Sequence, residues 1–320
     1  NRFYWKRYAT INKEMNFLKL IRYPNLLMLA FMQLIFRYGF LKLQNIPLAL
    51  NDWQYGLLVL STVLIAAGGY VINNIFDQDT DNDNKPNNVI VGKSISETNA
   101  YSIYLALNIT GVSIGFYLSN VIAKPGFAAL FILIAATLYF YAINWKQMLL
   151  IGNFIVALLL SFSVIIIGIF DLFPVVNQSN QSLMANLFSI LIDYAVFAFM
   201  INFIREIVKD LEDANGDYNQ GMRTLAITLG ISRTAKVVSI LSFIPVCAIL
   251  LYINNYLMPL LFVTIYMLLF VVGPLLYFSI KIWSASSQKE FHVLSLLLKW
   301  ILLFGILSIL VISLNMKYNA

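Results

Sequence analysis

Two short acidic stretches interrupt a chain of 320 residues that is 60% hydrophobic and only 11% charged. The first, NNIFDQDTDNDNKPN at residues 73–87, spaces Asn73, Asp77 and Asp81 four residues apart. On a helix that spacing stacks the three side chains on one face, a turn apart. Stacked carboxylates repel, so they call for a cation. Oxygen donors of this kind select a hard cation such as Mg²⁺, which keeps waters and is readily shared with phosphate oxygens. Asp79 and Asp83 fall on the other side, towards solvent. The second stretch, REIVKDLEDANGDYNQGMRT at residues 205–224, repeats the pattern. Asp213 and Asp217 are four apart, Asp210 lies three before Asp213, and Glu206 extends this face by a turn. Gly216 and Gly221 are expected to fray the helix into a loop.

The elements that must position these side chains are membrane helices. Apolar runs of about 18 residues or more recur along the chain, enough to cross a hydrocarbon core of about 30 Å. They are continuous rather than alternating, which selects helices over a barrel. Nine spans are expected, at 24–41, 54–75, 99–119, 125–143, 149–171, 186–208, 234–252, 256–280 and 294–314, in one all-α polytopic bundle covering 1–320. Residues 1–23 read as a basic, partly amphipathic segment at the membrane surface. With nine spans, 17 of the 21 Lys and Arg residues share a side with the N-terminus, and Arg37, Lys42, Lys124 and Lys317 take the other. The positive-inside rule then makes the populated side cytoplasmic, in the cell inner membrane. The net charge of +6 is explained by that bias rather than by nucleic acid. Cys247, the only cysteine, cannot form an intrachain disulfide and is expected to pack in a helix.

Both acidic clusters follow even-numbered spans, so both face the same compartment and can converge in a bundle. A lone DxxxD is ordinary in a solvated loop; two of them at the ends of spans are not, because ionisable groups at membrane depth are costly and normally functional. Paired clusters with cations nearby suit a diphosphate held by Mg²⁺. Lys93, Lys146, Arg223 and Arg22 lie on that side and are candidates for the phosphates. An apolar bundle around the polar head suits a prenyl tail.

At these residues the chain resembles the UbiA superfamily of intramembrane prenyltransferases. The first family motif is matched from Asn73 to Asp81 and continues through Asn84, Lys85 and Pro86. The second is matched by Lys209, Asp210, Asp213, Gly216, Asp217, Gly221 and Thr224. Two further patterns are similar: RYPN at 22–25 and YAINWKQMLLIGN at 141–153. Departures are Asn74 and Asn215 at positions often acidic, and Asn87-Asn88-Val89 where many members carry a further cation. The form of the second motif looks most like the branch that includes digeranylgeranylglyceryl phosphate synthase.

The resemblance implies that Asn73, Asp77 and Asp81 bind one Mg²⁺ and that Asp213 and Asp217, with Asp210 assisting, bind a second. Asp77, Asp81, Asp213 and Asp217 would carry catalysis, and Lys146 and Arg223 would supplement the ions on the diphosphate. Diphosphate departure would leave an allylic cation, shielded by apolar and aromatic walls. The expected partners are a prenyl diphosphate, a lipid or aromatic acceptor and membrane lipids. The acceptor expected first is a prenylglyceryl phosphate hydroxyl; a quinone-pathway acceptor, 4-hydroxybenzoate or 1,4-dihydroxy-2-naphthoate, is the alternative. A cation-coupled transporter is the rival of another class, but it would place its acids at mid-helix. His292, the only histidine, reads as part of the last cytoplasmic loop.

Overall fold

The computed structural model describes residues 15–84, 86 and 89–318. Lys85, Asn87, Asn88 and most of the basic N-terminal segment lie outside the described residues. Thirteen α-helices are labelled here: α1 Tyr23–Gly39, α2 Asp52–Phe76, α3 Gln78–Asn84, α4 Glu97–Val121, α5 Ala128–Ile143, α6 Ile151–Ile167, α7 Gln181–Glu212, α8 Ala214–Asn219, α9 Leu225–Leu229, α10 Ile231–Tyr252, α11 Leu261–Met267, α12 Gly273–Ser284 and α13 Gln288–Tyr318. Together with short 3₁₀ and π segments they make nine helices long and apolar enough to cross a membrane, among the described residues. The protein is therefore a multi-pass helical membrane protein, as its hydropathy requires. Among the described residues one isolated β-bridge joins Val91 and Ile95.

The chain divides into two compact units, Asn1–Phe31 with Leu50–Lys146, and Met32–Ala49 with Gln147–Ala320. In the first, α2 packs against α4 and α5. Helix α2 opens on a capping box: Asn51 accepts from the Gln54 N–H at 2.9 Å, and Gln54 Oε1 accepts from the Asn51 N–H at 3.0 Å. Small residues bring the helices close, as membrane packing requires. A Cβ at Gly111 of α4 would sit 3.2 Å from the Ser61 carbonyl of α2, and Ser61 Oγ donates to the Gly111 carbonyl at 2.6 Å. Near the end of α2, Val71, Ile72 and Ile75 pack with Leu20, Ile90, Val91, Ala100 and Ala142. That cluster fixes the turn of helix from which the first acidic stretch projects.

In the second unit α7 is the hub, packing on α6, α10 and α13. Arg37, counted among the four basic residues of the less basic side, is buried and ion-paired to Asp171. Asp171 lies in the π segment Gly168–Leu172 that ends α6. Cys247 does not pack inside as expected: it is exposed, on the face of α10 shared by Phe243, Ile244 and Leu251. Thiol and apolar side chains are equally at home against lipid.

Candidate active site

In the first unit, Asp77 sits at a joint between α2 and α3 with φ −96° and ψ 7°. The joint relaxes the helix without breaking its ladder. The Asp77 N–H donates to the Asn73 carbonyl at 2.9 Å, and the Asp81 N–H to the Asp77 carbonyl at 2.8 Å. Asn73, Asp77 and Asp81 therefore keep the helical register expected of them, and Asp79 and Asp83 are exposed on the far side. Asn73 Nδ2 donates to Asp77 Oδ2, and Lys146 Nζ donates to Asp77 Oδ1. The Lys146 and Asp77 side chains are 8% and 15% exposed. Lys146 arrives from the 3₁₀ turn Trp145–Gln147, after α5. Asn73 Oδ1 is buried with no hydrogen-bond partner among the described residues.

The other first-unit candidates have their own engagements. Lys93 is exposed and donates to the Pro86 carbonyl at 2.9 Å and to Asn82 Oδ1 at 3.2 Å, closing the loop behind the cluster. Arg22 has a left-handed backbone, φ 51°, and its guanidinium lies 5.4 Å from the ring centre of Tyr70, one turn before Asn73. Asn74 is buried and donates to the carbonyls of Tyr70, at 2.8 Å, and Leu20, at 3.3 Å. It ties the preceding segment to α2, a bond that a carboxylate there could not donate.

In the second unit the same joint recurs. Asp213, between α7 and α8, has φ −100° and ψ 9°. Its N–H donates to the Lys209 carbonyl at 2.9 Å, and the Asp217 N–H to the Asp213 carbonyl at 3.1 Å. Asp217 is buried, and Asp210 and Asp213 are half-buried. Gly216 does not fray the helix as expected; it is buried inside α8, and the chain turns at Gly221 with φ 67°. Glu206 accepts from Lys209 at 2.6 Å and lies 3.6 Å from Arg205 Nη1. Arg223 is exposed, and its N–H donates to the Gln147 carbonyl at 3.0 Å.

Three features of this unit lie outside the expected site. Asn153 Nδ2 donates to Asp210 Oδ2 at 2.8 Å. The Gly-Asn pair ending the 141–153 pattern was its only signal in the sequence. Phe199 stacks on Phe203 at 5.9 Å and meets Phe154 edge-on at 5.3 Å. Phe199 and Phe203 lie on the Asp210 stripe of α7, eleven and seven residues before it. His292 is on α13 rather than in a loop, with Nδ1 3.1 Å from Glu212 Oε1.

Among the described residues, no group of three or more His, Cys, Asp and Glu side chains is gathered closely enough to hold a metal. The donors nevertheless fit a hard cation. They are carboxylate and amide oxygens, and Asn73 Oδ1 is an unsatisfied buried acceptor beside Asp77. A site so sparse in protein ligands suits Mg²⁺, which takes one or two carboxylates and completes its shell with water and substrate phosphate.

Known proteins agree with this architecture. Residues 39–313 match the UbiA prenyltransferase family. Digeranylgeranylglyceryl phosphate synthase of Saccharolobus solfataricus is 32% identical over 71% of this chain and 73% of its own length. A solved structure concerned with digeranylgeranylglyceryl phosphate synthase in membranes is 24% identical, with a TM-score of 0.61 over 94% of this chain and 99% of that one. A UbiA homologue from Archaeoglobus fulgidus, solved with DMAPP and Mg²⁺, is 17% identical with a TM-score of 0.57 over 92% of this chain and 99% of that one. With nine helices long and apolar enough to cross a membrane among the described residues, both aspartate motifs and a family match over most of its length, the chain belongs to the UbiA prenyltransferase family.

Proposed function

We propose that the protein transfers a prenyl group from a prenyl diphosphate to the hydroxyl of a prenylglyceryl phosphate, with Mg²⁺ as cofactor. The carrying observation is the twofold occurrence of one construction: a membrane helix, a joint at an aspartate, and a short helix continuing the ladder to the next aspartate. The relative from Saccharolobus solfataricus supports the glyceryl phosphate acceptor. The family match crosses both units and supports reading them as one catalytic domain.

In this reading Asn73, Asp77 and Asp81 hold one Mg²⁺, and Asp210, Asp213 and Asp217 hold another. That both motifs serve one diphosphate is carried by their pairing in the sequence. Bound there, Mg²⁺ would neutralise charge developing on the departing diphosphate. Lys146 neutralises Asp77 and can transfer its ammonium to an adjacent phosphate oxygen. Asn153 orients Asp210 by donating to one of its oxygens. Arg223, exposed beside the second motif, adds a planar donor for phosphate. Lys93 and Arg22 complete the set, and each would first leave its present contacts. Phe199 and Phe203 present ring faces and exclude water along the stripe below Asp210. The basic excess on the side of both motifs supports a cytoplasmic active face in the cell inner membrane.

The test is transfer by the purified protein. Radiolabelled geranylgeranyl diphosphate with Mg²⁺ is offered together with a prenylglyceryl phosphate, 4-hydroxybenzoate or 1,4-dihydroxy-2-naphthoate. Labelling of the glyceryl phosphate alone, abolished by EDTA and restored by Mg²⁺, is the expected result. Labelling of an aromatic acceptor instead would move the protein to the quinone pathways.

A further inference from the structure

We infer that His292 is a positioning residue for the second aspartate motif, acting through Glu212. This inference rests on the proposed role of Asp213 as a metal ligand. Glu212 is the last residue of α7 and is only 8% exposed. The next residue, Asp213, leaves the helical conformation, so its direction depends on how firmly the end of α7 is held. A carboxylate buried at a helix end is stabilised by a donor of fixed direction. The chain's only histidine, on α13 with its side chain 58% exposed, places Nδ1 3.1 Å from Glu212 Oε1, where its Nδ1–H tautomer donates.

A second contact shows that this is a register between two helices rather than one chance approach. Arg205 Nε donates to the Ser295 carbonyl at 3.3 Å. On α7 the two contacts lie seven residues apart, two turns, and so on one face. On α13 they lie three residues apart, again on one face. Helix α13 is itself firmly started: Ser287 Oγ accepts from the Glu290 N–H at 3.3 Å, while Glu290 Oε2 accepts from the N–H groups of Ser286, at 3.1 Å, and Ser287, at 2.9 Å. Phe291, Leu294 and Leu298 of α13 are buried around the two contacts. Removing the imidazole thus leaves the packing of α13 and the Arg205 contact in place, and takes one donor from the end of α7 that carries Asp213. None of the family motif positions matched in the sequence lies on α13.

The experiment compares His292→Ala and His292→Asn with the unaltered protein. The Asn amide places a donor where Nδ1 stands. Two readouts are taken on purified protein: Mn²⁺ binding in the presence of inorganic pyrophosphate, followed by electron paramagnetic resonance, and kcat and KM for prenyl transfer. We expect His292→Ala to weaken Mn²⁺ binding about fivefold or more and to lower kcat about tenfold, with at most a small fall in the thermal midpoint, and His292→Asn to restore most of all three. Equal Mn²⁺ binding in His292→Ala and the unaltered protein would overturn the inference. So would a loss tracking a lowered midpoint that Asn fails to repair, since that marks mere packing. The binding readout needs no acceptor. A protein that binds Mn²⁺ but prenylates nothing refutes the proposed reaction and leaves this inference standing or falling on its own result.

Discussion

Asp77 is held from two directions, by the Asn73 amide and the Lys146 ammonium, and its loss should separate catalysis from folding. Lys146 stands on the 3₁₀ turn Trp145–Gln147 between two membrane spans, so Asp77→Ala does not strand its charge within a membrane helix. We expect Asp77→Ala and Asp213→Ala each to cut Mg²⁺-dependent transfer by about 10²–10³-fold, the range for removing a group that stabilises developing charge. The helical circular dichroism should be retained. An Asp77→Ala protein that turns over normally would remove the metal role assigned here. Lys146→Met should act differently, raising KM for the prenyl diphosphate by about tenfold or more through loss of a charge-assisted bond. A KM unchanged within twofold would assign Lys146 to structure alone. At this scale the helical register of the two aspartate clusters was legible in the sequence, because i, i+4 spacing is local. Asn153 beside Asp210 and His292 beside Glu212 were not legible. Their partners lie 57 and 80 residues away, and no local pattern encodes such a pairing.

The nine spans were readable for the opposite reason: each apolar run is long enough to decide its own fate in lipid. Their ends were not. Helix α7 runs from Gln181 to Glu212 and α13 starts at Gln288, beyond the apolar runs that marked them, because polar residues cap and extend helices where hydropathy has already failed. The polar end of the first span is explained by an element that hydropathy cannot show. Arg37, 1% exposed, pairs with Asp171, 0% exposed, in the π segment that ends α6. Gln33, one turn earlier on α1, donates to the Ser163 carbonyl at 3.1 Å, and the Ala49 N–H donates to the Asp171 carbonyl at 2.9 Å. Removing one member of a buried pair leaves the other charge without its counter-ion, which costs about 3–5 kcal/mol. Replacing both with apolar groups is close to neutral. Arg37→Leu should therefore lower thermal stability in detergent strongly, and Arg37→Leu with Asp171→Leu should recover most of it. If the double variant is as unstable as the single, the pair is not what holds α1 to α6.

For the whole molecule the decisive quantity is charge asymmetry, 17 basic residues against 4, and it makes a claim about orientation that can be tested without assaying activity. Nine crossings put the loop bearing the first motif and the turn after α4 on opposite sides of the membrane. Asn82, exposed beside the first motif, is expected on the basic side, and Lys124, exposed in the α4–α5 turn, on the other. Because long loops are few, the lysine and arginine bias of the short ones should govern insertion. In a Cys247→Ser background, a cysteine at position 82 should resist a membrane-impermeant maleimide in intact cells and react once the membrane is opened. A cysteine at position 124 should react in both. Native Cys247 lies on an apolar face of α10, ten residues inside the end of the span Ile231–Leu257, so it should react in neither state until detergent is added. The reversed pattern, with 82 labelled from outside, would place both aspartate motifs away from the cytoplasm. A prenyl diphosphate carries several negative charges and does not cross the bilayer unaided. That result would therefore leave the proposed donor on the wrong side of the membrane, and the proposed reaction would fall with the orientation.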